Sequence, residues 1–332
     1  MMSSVFIAGT GRYLPSQVVT NKDLAKYVDT SDEWIVQRTG IHERRFSTGE
    51  PNWYMGVQAA KQAIENAGVA PEEIDIIISS CITPDYFYPT VACSIQDELG
   101  AVNAFCWNLG AACSGFVYAL DVARGYLATG SAKTILIVCA ENMSKSLDFD
   151  DRSTCVLFGD GAGAAVVKKG EGLYGSRMAS DGKTGAALLA PALLGVNTPF
   201  AYDKDNPKYN KYAPTKGNYM TMDGRAVYRF TAHAIPNTVS GACERAGIAV
   251  DELDWLIPHQ ANLRIIEKAS ERMHFPMEKI YVNIDRFANT SCASVPICLS
   301  EMNDQGKLKR GMKIALAGFG GGLTSGAVVI EW

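Results

Sequence analysis

An internal repeat constrains the fold of this chain more than any other feature of its sequence. Residues 63–80 align with residues 242–259, and eight of the eighteen aligned positions are identical. Each copy consists of a helical segment, a glycine, an acidic turn and an apolar run typical of a buried strand. A shared preference of helix–glycine–strand joints for the same residues is the alternative explanation of this match.

The same spacing of 179 residues relates a second pair of segments. It aligns Ala111-Ala-Cys-Ser-Gly-Phe116 with Thr290-Ser-Cys-Ala-Ser-Val295, so that Cys113 corresponds to Cys292. In both segments a turn precedes a helix-like stretch, which a chance match of joints does not require. We therefore predict two duplicated α/β halves, residues 1–170 and 171–332, whose corresponding loops meet at a pseudo-dyad.

Short β-branched runs alternate with segments of helical periodicity along the whole chain, which is typical of layered α/β proteins. The length of 332 residues fits two halves, because a single hydrophobic core stops growing at roughly 250–300 residues. The predicted helices include 21–27, 31–37 and 54–67, the last ending at Gly68. The predicted strands are 5–8, 74–80, 104–108, 134–140, 163–168, 253–258, 279–283, 313–317 and 327–331.

The composition excludes several classes of protein. Hydrophobic residues make up 47% and charged residues 20% of the chain, which argues against intrinsic disorder. A net charge of −4 gives no field for binding nucleic acid or an anionic membrane. The apolar runs are far shorter than the roughly 20 residues of a membrane span, and the N-terminus lacks the pattern of a signal peptide. We therefore expect a cytoplasmic protein.

The cysteines and histidines form no pattern typical of a metal site or a disulfide framework. Nine cysteines are an odd number without framework spacing, and the four histidines are scattered along the chain. We therefore expect no metal and no disulfide.

A long surface loop is predicted for residues 194–219, which contain three prolines. Loops of this length are often functional, so a lid beside a site and a tolerated insertion are both open interpretations.

A candidate nucleophile lies in the segment Asn108-Leu-Gly-Ala-Ala-Cys-Ser-Gly-Phe116. A strand ends near Asn108, small residues permit a sharp turn, and Cys113 begins a helix. The positive end of a helix and nearby N–H groups lower the pKa of a thiol and can also hold an oxyanion. The alternative is an inert buried thiol.

Two further polar residues follow from the repeat. His259 lies just past the predicted strand of the second copy, and Asn289 precedes the second copy's turn. By the repeat argument both face the same interior as Cys113. A structural histidine and an ordinary turn asparagine are the alternatives.

Several motifs spread over almost the full length have the form found in a known family. They are Asp29-Thr-Ser-Asp-Glu-Trp-Ile-Val36, Gln37-Arg-Thr-Gly-Ile41, Ala111-Ala-Cys-Ser-Gly-Phe116, Phe158-Gly-Asp-Gly-Ala-Gly-Ala-Ala-Val166, Pro258-His-Gln-Ala-Asn-Leu-Arg-Ile265, Asn289-Thr-Ser291 and Gly318-Phe-Gly-Gly-Gly322. Through them the chain resembles the β-ketoacyl-acyl carrier protein synthase III family of the thiolase superfamily. The resemblance implies a five-layer αβαβα fold, a homodimer, and fatty-acid initiation, in which an acyl-CoA primer condenses with malonyl-acyl carrier protein. It implies no metal or redox cofactor.

The resemblance also assigns roles to residues. Cys113 would carry the acyl group, and the N–H groups of Cys113 and Gly321 would form the oxyanion hole. His259 and Asn289 would donate hydrogen bonds to the thioester oxygen as the malonyl group loses carbon dioxide. The residues implied to contact coenzyme A or its pantetheine arm are Trp34, Arg38, Thr39, Arg152, Gly224, Tyr228, Ala261, Asn262 and Phe319.

Contacts with partners are implied as well. Arg264, Lys268 and Arg272 form a basic helical stripe that would dock the acidic acyl carrier protein, or else a solvated face paired with neighbouring glutamates. Tyr88 would reach a neighbouring subunit's primer pocket. The sequence assigns no primer, and no role to Arg225 or Cys292.

Two rival functions stay open at this point. One is a related condensing or acyl-transfer enzyme of secondary metabolism, with the same fold and the same three groups but another primer or acceptor. The other is a non-catalytic partner subunit, which predicts a replaced nucleophile, whereas Cys113 is present.

Overall fold

The computed structural model of the protein describes residues 4–191, 217 and 219–332. Its strands are β1 (Ser4–Tyr13), β2 (Gln17–Thr20), β3 (Glu43–Phe46), β4 (Ile76–Ser80), β5 (Phe105–Leu109), β6 (Thr134–Glu141), β7 (Gly161–Gly170), β8 (Tyr174–Ser180), β9 (Leu188–Leu189), β10 (Thr221–Met222), β11 (Trp255–Pro258), β12 (Lys313–Gly320) and β13 (Thr324–Glu331). Its α-helices are α1 (Asn21–Leu24), α2 (Asp32–Thr39), α3 (Asn52–Ala67), α4 (Val91–Leu99), α5 (Gly115–Thr129), α6 (Gly224–Ala246), α7 (Leu263–Met273), α8 (Ile284–Phe287) and α9 (Ser294–Asp304).

The two large sheets have the same internal order. The first runs β1-β7-β6-β4-β5 and the second runs β8-β13-β12-β11. In the first sheet β4 is parallel to β6, and β7 is antiparallel to both β6 and β1. In the second sheet β11 is parallel to β12, and β13 is antiparallel to both β12 and β8. The duplication predicted from the repeat is therefore confirmed.

Residues that are identical in the two copies of the repeat have the same structural role in both halves. Gly68 ends α3 and Gly247 ends α6, each in the left-handed conformation that glycine adopts without strain. The carboxylate of Asp75 accepts the Lys133 N–H at 2.7 Å, and that of Asp254 accepts the Lys313 N–H at 2.8 Å. These bonds tie each β-strand of the repeat to its neighbour.

Helices and sheets stack in five layers. α3 and α4 cover the outer face of the first sheet, and α6 and α7 cover the outer face of the second. α5 and α9 lie between the two sheets, where they pack against both in one continuous apolar cluster. The αβαβα arrangement expected from the family resemblance is present. Because α5 and α9 begin at the two corresponding turns, the turns meet in the centre of the molecule.

The strand predicted at 279–283 is wrong. Ile280 makes a single bridge to Leu256, where a fifth strand of the second sheet would lie. A side chain replaces a backbone partner there, because the N–H of Asn283 donates to Oε1 of Gln260 at 3.1 Å instead of to a strand carbonyl. Conversely, β8 was not among the predicted strands, because its half-exposed Gly-Ser-Arg sequence has no apolar alternation.

The predicted boundary between the halves, at 170 and 171, stays a prediction; β7 ends at Gly170 and β8 begins at Tyr174. Apart from 217 and 219, the loop predicted at 194–219 lies outside the described residues. Every helix in the described part of the chain is too short or too polar to cross a membrane.

Candidate active site

Cys113 occupies a sharp turn between a strand and a helix. β5 ends at Leu109, a 3₁₀ turn covers Ala112–Ser114, and α5 starts at Gly115. Ala112 takes a positive φ of 44° to make the turn, a conformation uncommon for residues other than glycine. The turn carries Cys113 to the wall of a cavity while leaving only 5% of the residue exposed.

The glycines of β12 make room for the thiol. A Cβ at Gly320 would lie 2.7 Å from Cβ of Cys113, closer than real Cβ atoms approach. The backbone N–H groups of Cys113 and Gly321 both form hydrogen bonds to the Cys113 sulfur, which lower the pKa of the thiol. These are the two N–H groups that the family resemblance implies for the oxyanion hole.

Burial controls the ionisation of Cys113. It raises the pKa of the thiol to about 11, although a hydrogen bond from Ser291 and the two backbone N–H groups act in the opposite direction. The Ser291 hydroxyl lies 3.5 Å from the sulfur. The expected lowering of the pKa of Cys113 by N–H groups is present, but desolvation of the thiolate is the larger effect, so the pKa is raised overall, contrary to the expectation.

His259 follows β11 and is fixed on several sides. Its backbone N–H donates to Ala317 O at 2.7 Å, and the Phe319 ring packs edge-on at a centroid distance of 5.1 Å. Nδ1 lies 2.6 Å from Oγ of Ser294. Burial lowers the pKa of His259 to about 3, against a weaker opposite effect of the Ser291 backbone. The imidazole is therefore neutral at physiological pH.

Asn289 is oriented by its own turn. Its backbone N–H donates to Leu157 O, and its carbonyl accepts the N–H of Gly159, both at 3.0 Å. Its side-chain Oδ1 accepts the Ser291 N–H at 2.9 Å. Since the amide oxygen is used in this way, the NH₂ group is the part of the side chain that can donate to a bound molecule.

Cys113, His259 and Asn289 line one cavity of about 620 Å³. The predicted residues Arg38, Gly224, Tyr228, Ala261, Asn262, Phe319 and Arg264 also line it. So do Arg225 and Arg229, which are exposed together with Arg38 and Arg264. The cavity therefore runs from a buried thiol to a mouth lined by four arginines.

Trp34 and Arg152 lie apart from these lining residues but are joined to them through Arg38. The Arg38 guanidinium carbon is 4.8 Å from the centre of the Trp34 ring, and that of Arg152 is 5.0 Å from it. Nη1 of Arg152 donates to Asp29 O at 2.9 Å. Both guanidinium groups thus lie against the Trp34 ring, a grouping of planar side chains whose chemistry suits a planar base.

Four predicted residues are not brought to the cavity. Thr39 is 3% exposed, and its hydroxyl donates to Ile35 O inside α2. Lys268 pairs with Glu271 at 2.6 Å, and Arg272 donates to Ala232 O at 2.9 Å. Tyr88 is 87% exposed on the surface.

Comparison with known proteins identifies the family. A model described as "3-Oxoacyl-[acyl-carrier-protein (ACP)] synthase III C terminal" matches residues 243–332, and one described as "3-Oxoacyl-[acyl-carrier-protein (ACP)] synthase III" matches residues 107–182. The β-ketoacyl-[acyl-carrier-protein] synthase III of Clostridium acetobutylicum is 45% identical over 333 positions, covering 100% of this chain and 99% of the relative. The chain belongs to the 3-oxoacyl-[acyl-carrier-protein] synthase III family.

Two solved structures of synthase III have the same fold. The structure from Aquifex aeolicus is 42% identical with a TM-score of 0.89 and covers 99% of this chain and 100% of its own. The structure from Thermus thermophilus is 38% identical with a TM-score of 0.90, covering 98% of both chains. This member of the family is a condensing acyltransferase, and it carries out the initiating condensation of fatty-acid synthesis. The predicted family, thiolase-like fold and activity are confirmed.

The duplication of the chain leaves a second, filled copy of the site. Cys292 corresponds to Cys113, but it is fully buried and donates to Ser80 O and to Oε1 of Glu141, each at 3.2 Å. At the spacing of 179 residues, Ser80 corresponds to His259 and Glu141 corresponds to Gly320. The side chain of Glu141 fills, beside Cys292, the place that corresponds to the space Gly320 leaves open beside Cys113.

The sequence did not point to several residues of the cavity. Those that line the cavity are Leu157, Phe158, Leu188, Met222, Val227, Arg229, Ile265 and Gly320. Ser291 and Ser294, which contact Cys113 and His259, were also missed. The sequence signal for these two serines was that they lie in or just after the Asn289 motif. Whether they contact Cys113 and His259 depends on how the two central turns meet in the fold.

Proposed function

We propose that Cys113, His259 and Asn289 catalyse the condensation of an acyl-CoA primer with malonyl-acyl carrier protein. The observation that carries this assignment is that a thiol, a neutral imidazole and a free amide NH₂ group line one cavity with a cationic mouth. The three groups come from both halves of the chain, and no metal or redox cofactor takes part in the proposed steps.

The first step transfers the acyl group to the protein. The sulfur of Cys113 attacks the thioester carbonyl, the bond from that carbonyl to the sulfur of coenzyme A breaks, and the proton of the Cys113 thiol passes to coenzyme A, which leaves as the thiol. The N–H groups of Cys113 and Gly321 stabilise the oxyanion of the tetrahedral intermediate, an effect typically worth about 3–4 kcal/mol per donor. These two donors and the Ser291 hydroxyl also stabilise the thiolate, and so act against the burial that raises the resting pKa of Cys113.

The second step generates the carbon nucleophile. Nε2–H of His259 and the NH₂ group of Asn289 donate to the malonyl thioester oxygen while the carbon–carbon bond to carbon dioxide breaks. The electron pair moves into the enolate, which then attacks the acyl carbonyl on Cys113. The Cys113 thiolate leaves and the β-ketoacyl product remains on the carrier protein. Because His259 is neutral, it acts as a hydrogen-bond donor rather than as a full positive charge.

The side chains at the mouth of the cavity suit the chemical groups of coenzyme A. Trp34 and Arg152 can hold the adenine between them once the exposed Arg152 side chain moves outward from its hydrogen bond with Asp29 O. The exposed arginines 38, 225 and 229 can meet phosphates. Gly224, Tyr228, Ala261, Asn262 and Phe319 lie along the cavity where the pantetheine arm would run.

The proposed assembly is a homodimer. Its support is the exposed aromatic loop of Tyr86, Phe87 and Tyr88, which are 58%, 57% and 87% exposed and form an apolar surface of a kind usually covered by a partner. Tyr88 would then reach the partner subunit's primer pocket. The cytoplasmic location expected from the sequence stays a prediction.

Intact-protein mass spectrometry tests the assignment of the nucleophile. The wild type, Cys113→Ala and Cys292→Ala are each incubated with acetyl-CoA, branched-chain and longer acyl-CoAs. We expect the wild type and Cys292→Ala to gain the mass of the acyl group, and Cys113→Ala to gain none. An adduct that persists in Cys113→Ala, or a wild type that no primer acylates, contradicts the proposal. The series also ranks the primers.

A further inference from the structure

The ring of His259 has a hydrogen-bond partner on the side away from the cavity. Ser294 is the first residue of α9, and its Oγ lies 2.6 Å from Nδ1 of His259. Both residues are almost fully buried, with 2% of Ser294 and 1% of His259 exposed. The distance is that of a strong hydrogen bond.

A second contact favours one direction for this bond. The backbone N–H of Gln260 donates to Oγ of Ser294 at 3.4 Å and occupies one of the two lone pairs of the serine oxygen. The hydroxyl hydrogen is then free to point at Nδ1, and a neutral imidazole offers an acceptor on only one of its two nitrogens. If Ser294 donates to Nδ1, the proton of the ring is on Nε2.

We propose that Ser294 is a positioning residue that holds His259 in the Nε2–H tautomer needed for decarboxylation. This inference rests on the proposed function, in which Nε2 donates to the thioester oxygen. In the other tautomer Nδ1–H would donate to Ser294, and the lone pair of Nε2 would face the forming enolate oxygen and repel it.

The first half of the chain shows that the contact between Ser294 and His259 needs a specific amount of space. At the spacing of 179 residues, Gly115 corresponds to Ser294 and Ser80 corresponds to His259. A Cβ at Gly115 would collide with Oγ of Ser80. The first half therefore has no room for a serine at this place, whereas the second half holds a hydroxyl at bonding distance from an imidazole.

Loss of the hydroxyl should separate the two steps of the reaction. Acylation of Cys113 does not use Nε2–H, so Ser294→Ala should be acylated by acyl-CoA at a rate within about twofold of the wild type. Decarboxylation of malonyl-acyl carrier protein should fall at least tenfold, in kcat more than in KM, because binding groups are unchanged. Ser300→Ala is the matched control, since Ser300 is buried on the same helix and bonded to Arg12 rather than to the cavity.

A direct measurement of the tautomer does not depend on activity. Two-bond ¹H–¹⁵N correlation spectra of histidine-labelled protein at pH 7, with His259 assigned by comparison with His259→Gln, distinguish Nε2–H from Nδ1–H. We expect Nε2–H in the wild type and Ser300→Ala, and a mixture or Nδ1–H in Ser294→Ala.

The outcomes separate this inference from the proposed function. A wild-type Nδ1–H tautomer overturns the role of Ser294 even if Ser294→Ala fails to fold. A Ser294→Ala variant that keeps both the tautomer and the decarboxylation rate overturns it as well. If the wild type has Nε2–H but does not decarboxylate malonyl-acyl carrier protein, the proposed function is wrong while the tautomer assignment is confirmed.

Discussion

A Cβ atom placed on Gly320 would lie 2.9 Å from Sγ of Cys113. β12 therefore passes the Cys113 side chain at a distance that only glycine permits. The corresponding place in the other half holds Glu141, whose carboxylate contacts Cys292 at 3.2 Å. One glycine thus distinguishes the open copy of the duplicated site from the filled one.

Gly320→Ala should abolish acylation. The added methyl group occupies the space through which the thioester carbonyl approaches the sulfur, so we expect the rate of acyl-enzyme formation to fall by at least a hundredfold. Gly110→Ala is the matched control, because a Cβ at Gly110 meets no atom within 4 Å. Mass spectrometry after rapid mixing with acyl-CoA gives both rates. Equal acylation of the two variants would contradict the steric argument.

Protonation of His259 should make stability depend on pH. Burial lowers its pKa from 6.5 to about 3, so below pH 6.5 the unfolded state binds a proton that the folded state does not. Stability is therefore lost as pH falls from 6.5 toward 3. At pH 5 the cost is about 2 kcal/mol, from about 1.4 kcal/mol for each pH unit below the unfolded value.

Urea denaturation of the wild type and His259→Gln at pH 8 and pH 5 measures this effect. The other three histidines occur in both proteins, so their contributions cancel in the difference. We expect the stability of the wild type relative to the variant to fall by about 2 kcal/mol between pH 8 and pH 5. A difference that does not change with pH would show that His259 is not buried in the neutral form.

The repeat made the layers of the fold predictable, because helix stops and acidic turns are local signals and the chain contains them twice, once in each half. The bridge at Ile280 and the strand β8 were not predictable in this way. Whether a segment joins a sheet depends on what competes for its backbone groups, and Gln260 competes for the N–H of Asn283.

The candidate site was predictable only in part. Motifs pointed to Cys113, His259 and Asn289, but the pKa of Cys113 was predicted in the wrong direction. A helix end is visible in the sequence, whereas the depth of burial is a property of the assembled layers. The contact between Ser294 and His259 was missed for the same reason, since it joins α9 to the end of β11.

The aromatic ring of Trp34 should matter for coenzyme A but not for the acyl group. Base stacking on an aromatic ring is worth about 1–3 kcal/mol, so Trp34→Ala should raise KM for acyl-CoA by roughly five- to a hundredfold with little change in kcat. The matched substrate is the same acyl group on pantetheine, which lacks the nucleotide. A parallel rise in KM for acyl-pantetheine would show that Trp34 supports the cavity rather than the base.

Charge at the mouth should govern the use of the carrier protein. Of the three basic residues on the predicted docking stripe, Arg264 is exposed and lines the cavity, whereas Lys268 is paired with Glu271 and Arg272 is bonded to Ala232. Arg264→Glu should therefore raise KM for malonyl-acyl carrier protein by about tenfold, with the effect shrinking at high salt. KM for free acyl-CoA should change by less than about twofold.

Steady-state kinetics with each substrate varied in turn measures both constants. Lys309→Glu makes the same change of net charge at an exposed position outside the cavity, and it controls for the overall field of the protein. A similar rise in KM for Lys309→Glu would assign the effect to net charge. An equal loss for acyl-CoA and the carrier substrate in Arg264→Glu would place Arg264 at the phosphates of coenzyme A instead of at the docked carrier.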